Sequence, residues 1–222
     1  MKLRDYFAEF LGTMLFAAFL VGAVVSNAML QQFERSFLGV CVCAGLAGFV
    51  LNACFSAQIN PIVSFAIALQ RRQSWTEFLA RFLLQIAACF AGVATLRLTL
   101  GEFNMSALEY GVSALGKEIQ VGAGSVLTIL GSILLAAPWF RSHGNRVVGS
   151  ICFGAAIGIS LFVLGPFCGG LQNPALHLAS AVLASRFDHA LLFLALPFVG
   201  GLLIGVFGEK DSNPDFPPCE QH

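Results

Sequence analysis

Two polar triplets, Asn60-Pro61-Ile62 and Asn173-Pro174-Ala175, interrupt a strongly apolar sequence. Asn is a preferred helix cap, and Pro suits the first helical position because its missing N–H would have no partner there. An apolar segment of roughly ten residues follows each triplet, which is about 15 Å as a helix, or half of a bilayer core. The triplets therefore predict two half-helices, at 61–70 and 174–184, that enter a membrane without crossing it.

The rest of the apolar sequence predicts six complete membrane spans. Only 11% of the 222 residues are charged and 57% are hydrophobic, whereas soluble domains carry about 25% charged residues. The predicted spans are 6–26, 36–54, 78–100, 120–140, 147–167 and 189–208. An Asn-Pro start at membrane depth is tolerated only where it faces protein or a water-filled cavity. We therefore expect an all-α membrane protein with six transmembrane helices and two re-entrant half-helices.

The order span, span, half-helix, span occurs twice, which indicates an inverted repeat within one channel domain. Repeat one is predicted at about 1–105 and repeat two at about 118–208, with a polar linker at 101–117 between them. The segment 209–222 is polar and Pro-rich, and we expect a disordered cytoplasmic tail there. Helices interrupted at corresponding places in both repeats mark the functional site.

The distribution of Lys and Arg predicts cytoplasmic termini. The six-span topology places on one side Lys2, Arg4, Arg71, Arg72, Arg81, Arg141, Arg146 and Lys210, and on the other side Arg35, Arg97, Lys117 and Arg186. The more basic side is cytoplasmic by the positive-inside rule, while the choice between a plasma membrane and an intracellular membrane stays open. A net charge of zero argues against nucleic acid as a partner.

Two half-helices that meet near the midplane would bring two helix N-termini together. Each N-terminus carries about half a positive elementary charge, and the side chains of Asn60 and Asn173 can donate N–H groups into the gap. Such a centre opposes cations and protons and costs a neutral solute little. The sequence therefore predicts passive conduction of water or a small uncharged solute.

Further motifs resemble the aquaporin and glycerol-facilitator family, the major intrinsic proteins, over nearly the whole chain. The first span contains Glu9-x-x-Gly12-Thr13, the third contains Gln85 followed by small residues, and His189 and Leu196-Pro197-Phe198-Val199-Gly200-Gly201 match the sixth. The resemblance implies a homotetramer in lipid with one pore per subunit. It also implies that Glu9 supports a re-entrant loop.

The sequence departs from the family pattern at both boxes. Ile62 stands where the family usually has Ala, and Leu176 follows the second box where the family has Arg. A gapless alignment from the two Asn residues places the other selectivity-filter positions at Val40, Leu161 and Gly170. The implied filter is almost entirely apolar and lacks the Arg, which favours solutes such as glycerol or hydrogen peroxide.

Part of this alignment stays open. Small-residue landmarks in the second and fifth spans would move two filter positions toward Ala44 and Gly165. The family's buried Glu of the fourth span aligns near Gly124, so the second repeat lacks a counterpart of Glu9. Leu176, the variant first box and the many cysteines resemble the unorthodox, or super-aquaporin, branch.

Four other polar residues each have two interpretations. Glu9 either supports a loop or takes part in a proton relay, and no partner for a relay is evident on the other spans. His177 either faces the pore or packs against a span. Cys168 either lies at the pore mouth, open to mercurials, or packs, and Asn52 either lines the pore or binds neighbouring backbone.

The sequence contains no pattern that indicates an enzyme, a cofactor or a metal site. It has no Ser-His-Asp arrangement, no phosphate-binding Gly loop and no metal-ligand spacing. Two alternatives to a channel remain open. One is a non-conducting structural or adhesive membrane protein on the same fold, and the other is a coupled transporter, which would need more paired intramembrane charges than Glu9 alone.

Overall fold

A computed structural model describes residues 2–29, 37–141 and 145–208, which are almost entirely helical. The helices in these ranges are α1 (Leu3–Met29), α2 (Phe37–Phe55), α3 (Pro61–Leu69), α4 (Trp75–Leu100), α5 (Glu102–Ser106), α6 (Val121–Ala136), α7 (Pro138–Arg141), α8 (Arg146–Cys168), α9 (Pro174–Ala184), α10 (Ala190–Leu194) and α11 (Leu196–Phe207). The predicted tail at 209–222, Arg35 and Lys210 lie outside the described residues.

Six segments are long and apolar enough to cross a membrane, which confirms the predicted fold class. They are α1, α2, α4 and α8, together with α6 continued through α7 and α10 continued through α11. The chain is therefore an integral multi-pass membrane protein. The span at α4 begins three residues earlier than predicted because Ser74 and Glu77 form a capping box ahead of the apolar run.

The two halves of the chain pack in the same way. In the first half α1 packs against α2 and α4, and in the second half α6 packs against α8 and α11. The halves meet where α2 packs against α8, at a crossing that requires glycine. A Cβ atom on Gly45 would lie 2.8 Å from the carbonyl oxygen of Gly154, and one on Gly154 would lie 2.4 Å from that of Gly45.

Each half-helix packs against the last span of the other half, α3 against α11 and α9 against α4. The end of α3 lies at the face of the bundle where α1 begins, which we call the first face. There the Gln70 side chain donates to the carbonyl oxygen of Gly208, at 3.2 Å. The end of α9 lies at the opposite, second face, where Arg186 pairs with Glu109. The half-helices thus enter the bundle from opposite faces.

The linker at the second face is more structured than its polar sequence predicts. It contains α5 and a 3₁₀ turn at Glu109–Gly111, and it buries the side chains of Met105 and Tyr110 in the main apolar cluster. The Tyr110 hydroxyl donates to the carboxylate of Glu102, which also pairs with Arg97. Two apolar anchors and this polar group therefore hold the linker against the bundle.

We expect the linker to loosen in acid. The Tyr110 hydroxyl, and then the nearby Arg97, lower the pKa of Glu102, while burial and the bond to Glu102 raise the pKa of Tyr110. A lowered carboxyl pKa stabilises the folded linker above the ordinary value of about 4.3. That stabilisation is lost as pH falls through the lowered pKa. Hydrogen-exchange protection factors for 101–111 should therefore decrease over that acid range.

The control for this experiment is Glu102→Gln, which should have lower protection at neutral pH and no step in acid. Equal acid steps in the wild type and in Glu102→Gln would contradict the assignment of the effect to Glu102.

Candidate functional site

Each Asn-Pro triplet begins a half-helix, as predicted. The Asn60 side-chain oxygen accepts the N–H of Ile62 at 3.1 Å, and Pro61 is the first residue of α3. The Asn173 side-chain oxygen accepts the N–H of Leu176 at 3.2 Å, and Pro174 is the first residue of α9. Each Asn therefore satisfies a helix N–H that would otherwise have no partner.

The two Asn side chains also bind each other's loops. The Asn60 side-chain Nδ2 donates to the carbonyl oxygen of Gln172 at 3.2 Å, and the Asn173 Nδ2 donates to that of Ile59 at 3.1 Å. Both acceptors are the residues that immediately precede the opposite Asn. The N-termini of α3 and α9 therefore face each other inside the bundle. Each amide nitrogen carries two hydrogens. The hydrogen bond to the opposite loop uses one of them, and the other remains available to a solute.

The residue before each triplet has left-handed backbone. Ile59 has φ +64° and Gln172 has φ +42°. This conformation is a clear outlier for a β-branched residue and costs about 1–3 kcal/mol. Such backbone persists only where the surroundings fix it. At Ile59 the N–H donates to Glu9 and the carbonyl accepts from Asn173.

The Glu9 side chain holds the first loop by accepting hydrogen bonds from the loop backbone. Its fully buried carboxylate accepts the N–H of Gln58 at 3.0 Å and that of Ile59 at 2.8 Å. The same carboxylate pairs with Arg81 and accepts from the Gln85 side chain at 2.8 Å. The expectation that Glu9 has no partner on another span is wrong. Arg81 and Gln85 are four residues apart on α4 and therefore share one face of that helix.

A chain of buried amides continues from this ion pair. The Gln85 side chain also donates to the Ser64 hydroxyl at 3.1 Å, and the Gln73 side chain donates to the Ser64 carbonyl oxygen at 2.6 Å. The Gln58 side chain donates to Gln73 at 3.1 Å. Apart from Gln85, which was noted only as part of a motif, sequence reasoning missed these residues. The available signal was the pair Arg81 and Gln85, one turn apart in an apolar span.

The second loop has no carboxylate beneath it, because α6 contains neither Asp nor Glu. The prediction that Gly124 corresponds to Glu9 is nevertheless wrong. A Cβ atom on Gly124 would lie 2.3 Å from Leu115, in the linker, and none of its close neighbours belongs to the second loop.

The glycine of α6 that meets the second loop is Gly131. A Cβ atom on Gly131 would lie 2.7 Å from the Gln172 side chain, just as one on Gly12 would lie 2.8 Å from Ala57 in the first loop. Gly131 therefore corresponds to Gly12. The counterpart of Glu9, three residues earlier, is then Thr128. The signal in the sequence was Thr128-x-x-Gly131-Ser132, a neutral version of the first-span motif.

The four predicted filter residues are all buried, but the structure brings only some of them into contact with one another. Gly170 has φ +67°, and a Cβ atom there would lie 2.8 Å from the Cα of Leu161, so these two residues are in contact. Leu161 and Leu176 belong to one apolar cluster, to which Val40 does not contribute. The alternative Ala44 belongs to that cluster.

The other alternative, Gly165, lies against the ring of Phe37. At the first box, Ile62 is fully buried and its backbone lies close to Gly201 of α11, while Ala175 of the second box is also buried. A glycine on α11 therefore makes room beside the bulkier residue of the first box.

The Asn52 side chain forms one hydrogen bond to loop backbone and one to another side chain. Its side-chain nitrogen donates to the carbonyl oxygen of Ala57 at 2.9 Å, and its oxygen accepts from the Ser150 hydroxyl at 2.6 Å.

His177 stacks obliquely on Phe193, with ring centroids 4.8 Å apart. Neither ring nitrogen of His177 has a hydrogen-bond partner in the part of the chain that the structure describes. Cys168 is buried and its sulfur lies 3.9 Å from the Gln172 side-chain nitrogen.

Comparisons with known proteins point to one family. The family model for major intrinsic proteins matches residues 1–207. The chain is 27% identical over 219 residues to the probable aquaporin TIP2-2 of Oryza sativa subsp. japonica, covering 92% of this chain and 86% of that protein. It is 28% identical over 218 residues to the aquaporin TIP2-1 of Arabidopsis thaliana, with the same two coverages. The resemblance to the unorthodox branch stays a prediction.

The fold is shared with a solved structure. The aquaglyceroporin from Plasmodium falciparum superposes with a TM-score of 0.78, covering 92% of this chain and 94% of that one, at 19% sequence identity. Similarity at this identity concerns the fold alone.

Proposed function

The chain belongs to the major intrinsic protein family, and we propose that its pore is centred on Asn60 and Asn173. Proteins of this family are channels and not enzymes, and the chain is a channel for water and small solutes. The observation that carries the proposed centre is the reciprocal exchange in which each Asn caps one half-helix and binds the carbonyl before the other.

The proposed centre selects by charge and by hydrogen bonding. The N-terminal ends of α3 and α9 both direct partial positive charge at it, which opposes cations and protons. The remaining N–H of each Asn side chain would donate to the oxygen of a passing neutral solute. The loop carbonyls that precede each triplet would accept from the same solute.

We place the selectivity filter at Val40, Leu161, Gly170 and Leu176. Three of these side chains are apolar and the fourth is absent, so the filter has no cationic donor to hold water in a fixed orientation. It should therefore pass glycerol-like and peroxide-like solutes more readily than a filter that contains Arg. The alternative predicted from the sequence, a non-conducting structural or adhesive protein, would require the buried side chains of Ile62 and Leu176 to close the pore.

Stopped-flow light scattering of proteoliposomes decides between these candidates. Swelling in water, glycerol and hydrogen peroxide gradients should exceed that of protein-free liposomes in all three. Conduction restricted to water would contradict the proposed filter. No conduction of any of the three solutes would favour the non-conducting protein.

The variant Leu176→Arg should reduce glycerol flux more than water flux, by several-fold. Leu176 lies in the first turn of α9, where a guanidinium would narrow the filter and add a charged hydrogen-bond donor. The measurement is the ratio of glycerol to water permeability, with Leu176→Met as an uncharged control of similar volume. A proportional fall in both fluxes would contradict the placement of Leu176 in the filter.

The assembly and topology form the rest of the proposal. We assign a homotetramer in lipid with one pore per subunit, and inverted repeats at about 1–105 and 118–208. The Lys and Arg residues of the first face support cytoplasmic termini in either a plasma membrane or an intracellular membrane. Light scattering of the detergent-solubilised protein tests the tetramer. Protease accessibility of the termini in sealed vesicles tests the orientation.

A further inference from the structure

The loop before Asn173 is held by neutral groups where the loop before Asn60 is held by a carboxylate. Thr128 takes the place of Glu9, so α6 supplies no acid to accept the backbone N–H groups of the second loop. The loop instead carries Gln172, whose side chain is buried between α6 and α8. A long amide in this position requires partners of its own.

Three buried polar groups meet around this amide. The Ser160 hydroxyl oxygen lies 2.6 Å from the carbonyl oxygen of Gly170 and 2.8 Å from the side-chain oxygen of Gln172. The side-chain nitrogen of Gln172 lies 3.9 Å from the Cys168 sulfur. Ser160 and Cys168 are each 1% exposed, so water does not compete with these contacts.

The number of hydrogens determines how these contacts are made. Ser160 has one hydroxyl hydrogen, yet it lies within hydrogen-bonding distance of two oxygens that can only accept. A half-turn of the Gln172 amide exchanges its oxygen and nitrogen. The amide nitrogen then donates to Ser160, the Ser160 hydroxyl donates to Gly170, and the Cys168 thiol donates to the amide oxygen. Only this orientation gives each contact one hydrogen.

We propose that Cys168, Gln172 and Ser160 form a hydrogen-bond relay that positions the Gly170 carbonyl and so sets solute discrimination. Its effect on discrimination rests on the proposed function, since Gly170 is a proposed filter residue. Gln172 and Ser160 act as positioning residues. Gln172 links the relay to the pore centre as well, because its carbonyl oxygen accepts from Asn60.

Two glycines fit the relay into the fold. A Cβ atom on Gly131 would lie 2.7 Å from the Gln172 side chain, so a larger residue at that position would displace the amide. A Cβ atom on Gly170 would lie 2.7 Å from the carbonyl oxygen of Ser160. The two glycines leave the amide and the Gly170 backbone closely packed between α6 and α8.

The first test is the ratio of glycerol to water permeability in proteoliposomes. Ser160→Ala should change this ratio on the order of fivefold, the factor expected from one lost buried hydrogen bond. Ser160→Thr keeps the hydroxyl and should retain the wild-type ratio. The matched control is Ser132→Ala, which removes another buried hydroxyl, one that donates to the Thr128 carbonyl oxygen at 2.7 Å and stands outside the relay. Equal ratios in Ser160→Ala and Ser132→Ala would overturn the effect on discrimination.

The second test does not depend on conduction. The S–H stretching band of Cys168, identified by its loss in Cys168→Ala, should lie at lower frequency in the wild type than in Gln172→Met, which has no amide oxygen to accept the hydrogen. The same frequency in both proteins would overturn the relay. If wild-type proteoliposomes pass no solute, the proposed function fails and the infrared band still decides whether the relay exists.

Discussion

Replacing Glu9 with Gln should destabilise the protein by about 3–5 kcal/mol, because it leaves the largely buried Arg81 guanidinium without its charged partner. Glu9 is fully buried and accepts from two backbone N–H groups as well as from Arg81 and Gln85. A Gln side chain has one acceptor oxygen, so at least one of these donors loses its partner. The loss is a large part of the about 5–15 kcal/mol that stabilises a typical domain.

The midpoint of thermal unfolding in detergent measures this loss. Arg97→Gln is a matched control, since it breaks the half-exposed ion pair with Glu102 and should lower the midpoint much less than Glu9→Gln does. The double variant Glu9→Gln/Arg81→Gln removes both charges together and should recover part of the stability. A midpoint for Glu9→Gln no lower than that for Arg97→Gln would show that the carboxylate does not hold the loop.

The spans and half-helices were predictable because their signals are local. An apolar run of sufficient length and an Asn-Pro cap are both visible within a short window of sequence. The Glu9–Arg81 pair was not predictable in the same way, since it joins α1 to α4 and depends on which face of each helix points inward. From the sequence alone, Arg81 is assigned only to the more basic side of the membrane.

The structure of the polar linker depends on long-range contacts as well. Met105 and Tyr110 are buried in the main cluster and Glu102 pairs with Arg97, and the charged residues of the linker do not predict these contacts. The apolar anchors among polar residues were the available signal. At the filter, a gapless alignment cannot decide between Val40 and Ala44, because that choice depends on how α2 sits against α8.

The two halves have the same arrangement of helices but hold their loops by different chemistry. Glu9 and Arg81 fix the first loop with a largely buried ion pair, whereas Ser160 and the second loop's own Gln172 form a contact between neutral groups. Breaking a buried ion pair by substituting one partner costs about 3–5 kcal/mol, whereas a neutral network can lose one member at the smaller cost of one hydrogen bond. Substitutions beside the second loop should therefore alter discrimination among solutes while the protein still folds.

The largest effect on selectivity should come from Asn173→Asp, which we expect to reduce water permeability at least about tenfold and to admit cations. A carboxylate can still cap α9, so the helix start is retained. It cannot donate to the Ile59 carbonyl oxygen, and an unsatisfied buried acceptor costs about 1–3 kcal/mol. It also places a negative charge at the centre where two helix N-termini provide positive potential, which removes the barrier to cations.

The matched control for this substitution is Asn145→Asp. Asn145 caps α8 by accepting the N–H groups of Val147 at 3.0 Å and Val148 at 3.1 Å, at the exposed first face and away from the triplets. Its replacement makes the same chemical change at a helix N-terminus and should leave water and cation permeability at wild-type values. Potassium flux into proteoliposomes and stopped-flow water permeability are measured on both variants. If Asn173→Asp and Asn145→Asp conduct alike, Asn173 does not stand at the centre of the pore, because a charge introduced there must act on every ion that passes.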